Sequence, residues 1–229
     1  MKRFLLTSLL LVATTFSCAK VALEKDTVDN INRGAFWGFM YPLVLSGNIE
    51  ISKERIYVER AIKVDDRVEA LCIKYSVDAC RRDVLLERIN VVPASLVMAQ
   101  AAKQSNWGTI YFSREGKNYF NQFCYERGCG IEPAERVTNA YYELRKFETA
   151  KASVAAYMLY VNSNAAYEDF RVLRTKSGMS DGYTMAGGLS NFSEVGQPYV
   201  DEIREIMTQN NLYRFDESMK KVLYTIDIE

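Results

Sequence analysis

The sequence predicts an α+β domain that is mainly α-helical, and three observations carry that expectation. Residues 91–102 are apolar nearly all round, the signature of a helix buried in a core. Val154, Tyr157, Met158 and Val161 recur at i, i+3, i+4 and i+7, and Tyr199, Ile203, Ile206 and Met207 repeat a similar stripe. Between these helices, residues 124–134 carry Gly128, Gly130 and Pro133, and residues 137–147 are rich in β-branched and aromatic side chains, so residues 124–147 read as a small β-lobe.

From the N-terminus, Lys2 and Arg3 followed by an apolar run have the form of a secretory signal over residues 1–19, too short to span a bilayer. Two endings stay open: cleavage after Ala19, or lipid attachment at Cys18, although Thr15 and Phe16 depart from the preferred lipobox. Either ending predicts an exported chain, in the periplasm or at the outer membrane, with residues 19–29 as an unstructured tether. Residues 20–90 read as a partly helical arm. Residues 31–56 mix Gly34, Gly38, Pro42 and Gly47 with Phe36, Trp37, Phe39 and Tyr41 and fit no single element. Over residues 65–88, Val68, Leu71 and Cys72, then Val84, Leu85 and Ile89, predict two helices packed on the body.

The main domain spans residues 91–213. Pro93 suits the first turn of its buried helix. The break at Ser105, Asn106, Trp107 and Gly108 leaves Gln104 at the helix end, aimed beyond the core. Thr149 is placed to cap the following helix, and a last helix begins near Pro198. Residues 214–229 form an amphipathic tail.

Twenty-nine basic and twenty-nine acidic residues cancel, so no overall field recruits nucleic acid. With Cys18 removed or lipidated, four cysteines remain; local spacing favours Cys72 with Cys80 and Cys124 with Cys129 among three connectivities. The chain has no histidine, which excludes Ser-His-Asp and Cys-His mechanisms and, with these cysteine spacings, argues against a metal site. No cofactor is expected. Any hydrolysis must fall to carboxylates and tyrosines.

Pro93, Ser95, Leu96, Ala99, Gln100, Ala101, Ala102, Ser105, Trp107 and Gly108, then Phe112, Gly116, Asn118, Phe120 and Cys124, form a dense ordered pattern. It resembles the Bax-type and flagellar-type peptidoglycan glucosaminidases, glycoside hydrolase family 73 in kind. Tyr142, Glu143, Leu144 and Phe147, residues 153–167 and residues 189–200 extend the resemblance to about residues 91–212. It implies a lysozyme-like fold, a helical body with a small β-lobe over a glycan cleft, acting on β-1,4 bonds of an N-acetylated strand. The chain departs from the family pattern at Gln104, which stands where the family has its general acid glutamate, and at Asn121, where the family has glycine.

An amide has no proton to release near neutral pH, so Gln104 can hold a glycan but not protonate a leaving oxygen. By the resemblance, Glu143 is the second carboxylate, a base or charge stabiliser, unless it is an exposed strand glutamate paired with Arg145 or Lys146. Tyr167 aligns with a cleft tyrosine. Trp107 offers a flat wall, and Asn118 and Gln122 can bond acetamido or hydroxyl groups. Glu115 and Glu194 read as a solvated turn residue and a helix cap. The function expected is that of a cell-envelope glucosaminidase impaired at Gln104, with a non-catalytic peptidoglycan-binding protein as the alternative.

Overall fold

The structure, a computed structural model, describes residues 6–134, 141–177 and 181–226, and side chains from residue 32 onward. The chain divides into two compact units, Met1–Phe39 and Met40–Glu229. The first is the N-terminal part of helix α1 (Leu6–Arg60), with the Phe36 and Trp37 rings edge to face at 5.3 Å. The first five residues and the Cys18 side chain, on which the signal and lipid-anchor expectations rest, lie outside the described parts. The backbone of residues 19–29, expected as a tether, is helical. Among the described residues, no helix is long and apolar enough to cross a membrane.

Helix α1 also settles residues 31–56, whose glycines and Pro42 argue against any regular element. Tertiary burial overrides that local preference: Val44, Asn48, Ile51 and Val58 line the buried side of the helix. Gly47 belongs there because an added Cβ would lie 2.8 Å from Met158 Sδ.

The second unit continues with α2 (Asp66–Lys74), where Asp65 accepts the Val68 amide at 2.9 Å, and α3 (Arg82–Arg88). The predicted two-helix arm is therefore present, closed by the Cys72–Cys80 disulfide. Next comes α4 (Ala94–Ser105), in which every side chain except Lys103 and Gln104 is buried. Pro93 stands at the cap position, one residue earlier than expected, and offers no side-chain bond. The first amides of α4 need other acceptors. Asp216 Oδ1 accepts the Ser95 amide at 2.8 Å, and Asn48 brackets Val92, accepting its N–H at 2.8 Å and donating to its carbonyl at 2.9 Å. At the other end Asn106, Trp107 and Gly108 all have positive φ, which stops the helix where the sequence indicates.

A short helix α5 (Tyr111–Glu115) leads to a three-stranded antiparallel sheet, order β1-β3-β2, made of β1 (Phe123–Cys124), β2 (Gly130–Ile131) and β3 (Glu143–Arg145). The register sets Cys124 opposite Glu143 and Gly130 opposite Arg145. The strand is shorter than the 137–147 expected, and residues 135–140 lie outside the described parts. Cys124 pairs with Cys129, so both disulfides follow the local spacing. Helix α6 (Ala150–Ser163) is capped by Thr149 Oγ1, which accepts the Ala152 amide at 3.1 Å.

The remaining body is α7 (Glu168–Ser177), α8 (Gly182–Ala186), a 3-10 segment Gly187–Phe192, α9 (Gln197–Gln209) and α10 (Tyr213–Ile226). Helix α4 packs against α8, α9 and α10. The helix near Pro198 is thus not the last. Residues read as an amphipathic tail form most of α10, which buries Asp216, Met219 and Leu223. The expected class holds: a mainly helical body with a small antiparallel sheet.

Candidate functional site

A groove of about 590 Å³ opens beside the C-terminal end of α4, between α6 and the sheet. Its floor is Tyr157 of α6, stacked on Phe120 with ring centroids 4.1 Å apart and planes 8° from parallel. Tyr160, Tyr167 and Phe192 line one side; Phe123, Tyr125 and Arg145 line the side of the sheet. Gln104, Asn121 and Gln122 add amides to the lining. Arg145 is the only charged side chain in the lining among the described residues, and no aspartate or glutamate joins it.

Helical spacing explains the amide network beneath the groove. Gln100 and Gln104 are four residues apart, so they share one face of α4. The Nε2 atoms of both donate to the Tyr199 hydroxyl, each at 3.0 Å, while Gln100 Oε1 accepts from the Tyr157 hydroxyl. Gln104 Oε1 accepts from Asn121 Nδ2 at 2.8 Å. Gln104 is therefore held at both ends. Asn121 sits at φ 51, a left-handed conformation that asparagine tolerates better than most residues. The two positions at which the sequence departs from the pattern it resembles are bonded to each other.

Burial raises the phenols around this network. It pushes Tyr199 up to about 12, opposed by the bonds from Gln100 and Gln104, and also raises Tyr157 and Tyr167 well above the ordinary phenol value. These side chains are neutral hydroxyls at ordinary pH, suited to hydrogen bonding rather than to proton transfer. The arrangement offers flat aromatic surface beside amide donors and acceptors, the combination that sugars require.

Of the residues singled out in the sequence, the groove brings together Gln104, Gln122 and Tyr167. Gln122 Nε2 donates to the Ser153 carbonyl at 3.0 Å, which ties it to the first turn of α6. Asn118 is elsewhere: it is fully buried, its Nδ2 donates to the Gln122 and Arg145 carbonyls, and its Oδ1 accepts from the Phe120 and Gln122 amides. Those four bonds fill the amide's capacity for the usual contacts, so Asn118 shapes the turn that carries Asn121 and Gln122. Trp107 is half-buried and does not line the groove.

Glu143 does not line it either. Nor is it the exposed strand residue of the other reading, because it is only 6% exposed. Its Oε1 accepts from the Gly128 amide at 2.9 Å and from the Tyr141 hydroxyl, and its Oε2 accepts from the Gly130 amide at 2.6 Å. Glu115 and Glu194 are exposed and do not line the groove, although Glu194 directly follows the lining residue Ser193, and the residue capping α9 is Gly196. Cys124, Cys129 and Glu143 cluster within 4.8 Å, but the sulfurs are joined to each other and present no thiolate to a metal.

Sequence reasoning missed Tyr199, because its ring continues the apolar stripe of α9 and hides the role of its hydroxyl. It also missed the rim of Phe123, Tyr125 and Tyr160, which long-range packing brings together. The signal for Asn121 was present as the second departure from the family pattern.

No solved structure matches the chain at a significant level. Protein bax of Escherichia coli (strain K12) is 28% identical, over 77% of this chain and 69% of that protein. A family profile described as mannosyl-glycoprotein endo-beta-N-acetylglucosaminidase matches residues 84–212, a span that holds α4, the sheet, α6 and every residue lining the groove. With more than half of its length matched in this way, the chain belongs to the glucosaminidase family.

Proposed function

We propose that this protein binds an N-acetylated glycan strand of the peptidoglycan type in the groove, and that hydrolysis of its β-1,4 bonds is severely weakened or lost. One observation carries the reading: Gln104, where the resemblance implies the family's acid, is an amide held at both ends, by Tyr199 and Asn121, in a groove whose described lining includes no carboxylate. Glycoside cleavage needs a group that gives a proton to the leaving oxygen. Losing such a group lowers the rate by roughly 10² to 10⁴. The exposed rings of Tyr160, Phe123 and Tyr125 keep their use without it. The protein then acts as an exported cell-envelope component that holds glycan, anchoring or regulating other wall enzymes, by itself or tethered through lipid at Cys18.

The competing reading is a working glucosaminidase, supported by the family membership alone. Purified peptidoglycan separates the two. Incubated with the mature chain, it should retain the protein on sedimentation while releasing no soluble muropeptides. Release at a rate that a Gln104→Ala variant abolishes would make it an enzyme, and failure to sediment with the wall would remove the glycan reading.

A further inference from the structure

The buried carboxylate outside the groove has a use that the family resemblance does not give it. We propose that Glu143 is a positioning residue: it holds the disulfide-closed loop of residues 124–129 in the shape that presents Phe123 and Tyr125 to the groove. The proposal rests on the glycan-binding reading above and names the device that shapes the sheet side of the same site.

Four observations support it. The amides of Gly128 and Gly130, on either side of Cys129, converge on the two oxygens of the one carboxylate at 2.9 and 2.6 Å. Both oxygens of one carboxyl are thereby engaged by the backbone that closes the loop. The register places Glu143 directly opposite Cys124, so strand pairing and carboxylate hold the loop from the same residue. Both glycines suit their places: Gly128 has φ +80, which most other residues reach only with strain, and a Cβ on Gly130 would lie 2.1 Å from the Leu144 carbonyl oxygen. Finally, Tyr125, carried by this loop, is 71% exposed and lines the groove, while Phe123 just before the loop rests on the buried Tyr142 ring at 4.7 Å and lines it too. The Cys124–Cys129 bond fixes the ends of the loop. Glu143 holds the backbone on both sides of Cys129.

The test uses the full mature protein and its Glu143→Ala, Glu143→Gln, Tyr125→Ala and Glu143→Ala/Tyr125→Ala variants. The probe is a tetramer of β-1,4-linked N-acetylglucosamine, titrated by calorimetry, with amide hydrogen exchange measured on the glycan-free proteins. Glu143→Ala should speed exchange at Gly128 and Gly130 and weaken binding roughly tenfold, the scale of one aromatic stacking contact. Glu143→Gln, which keeps one acceptor oxygen and is the milder change, should fall between it and the wild type. The double variant should bind no worse than the weaker single variant, because Tyr125 is already displaced. Unchanged exchange, faster exchange with unchanged affinity, or additive losses would each overturn the proposal. If the wild type itself does not bind the tetramer, the glycan reading fails, and exchange at the two glycine amides alone decides whether Glu143 holds the loop.

Discussion

Restoring a carboxylic acid at position 104 should give back measurable hydrolysis, and the structure sets how much. A general acid contributes roughly 10² to 10⁴ in rate. In Gln104→Glu, burial beside α4 would favour the protonated form needed for catalysis, but two neighbours oppose it. Asn121 Nδ2, now 2.8 Å from Gln104 Oε1, would donate to the new carboxylate, and the Tyr199 hydroxyl could turn its proton toward it. A hydrogen bond to a charged group is worth about 1.5–3 kcal/mol, which depletes the protonated form by roughly ten- to a hundredfold. The single variant should therefore reach only the low end of the range, about 10² over the wild type. Adding Asn121→Gly removes one of those donors at a backbone position, φ 51, that glycine adopts without strain. The double variant should be a further tenfold or more faster. Its activity should also persist to higher pH, because an acid must be protonated to act and the Asn121 bond moves its loss to lower pH. Muropeptide release measured from pH 4 to 8 reads both effects. A Gln104→Glu protein no faster than the wild type, or a double variant with the same rate and pH profile as the single, would refute the assignment of this position.

Arg145→Gln should weaken binding of a glycan that carries carboxylates by up to about fivefold, the scale of an exposed ion pair, and leave a neutral chito-oligosaccharide unaffected. Burial raises the Asp216 carboxyl above its ordinary 3.8 despite the Ser95 bonds, so the folded state holds a proton that the unfolded chain has released. Stability from this group is therefore lost as pH rises from about 4 toward the folded value, and Asp216→Asn should flatten that part of a urea-unfolding series. Gly188→Ala should destabilise by at least about 1–3 kcal/mol in thermal melts, because the new Cβ would lie 2.4 Å from Phe170 Cα and 2.7 Å from its nitrogen, backbone that cannot step aside. Removing the Cys72–Cys80 bond with paired alanines should cost about 2–3 kcal/mol in the same assay, from the entropy of so short a loop.

What could be read from the chain was local. The apolar run of α4, the break that exposes Gln104, the Thr149 cap and the two short cysteine spacings each depend on a few neighbouring residues, and each stands in the structure. Helix α1 was illegible because Gly34, Gly38, Gly47 and Pro42 vote against it locally, while the burial that overrules them comes from distant residues such as Met158. Asn118 has the chemistry of a sugar ligand, yet the same two donors and two acceptor sites serve a turn equally well, and only the fold tells which. Glu143 defeats prediction for a related reason: its partners include two glycine amides, which leave no side-chain mark in the sequence. Tyr199 splits by atom, its ring in the core and its hydroxyl in the amide network.

The acceptors at the start of α4 reach it from both directions along the chain. Asn48 lies 44 residues before Val92, and Asp216 lies 121 residues after Ser95. Both fall outside the segment matched by the family profile, residues 84–212. A chain that stops short of Asp216 leaves the Ser95 amide and hydroxyl, on a fully buried residue, without this acceptor. The central helix therefore takes an acceptor for its first turn from beyond the groove segment, and a fragment cut at the family boundaries would lack it.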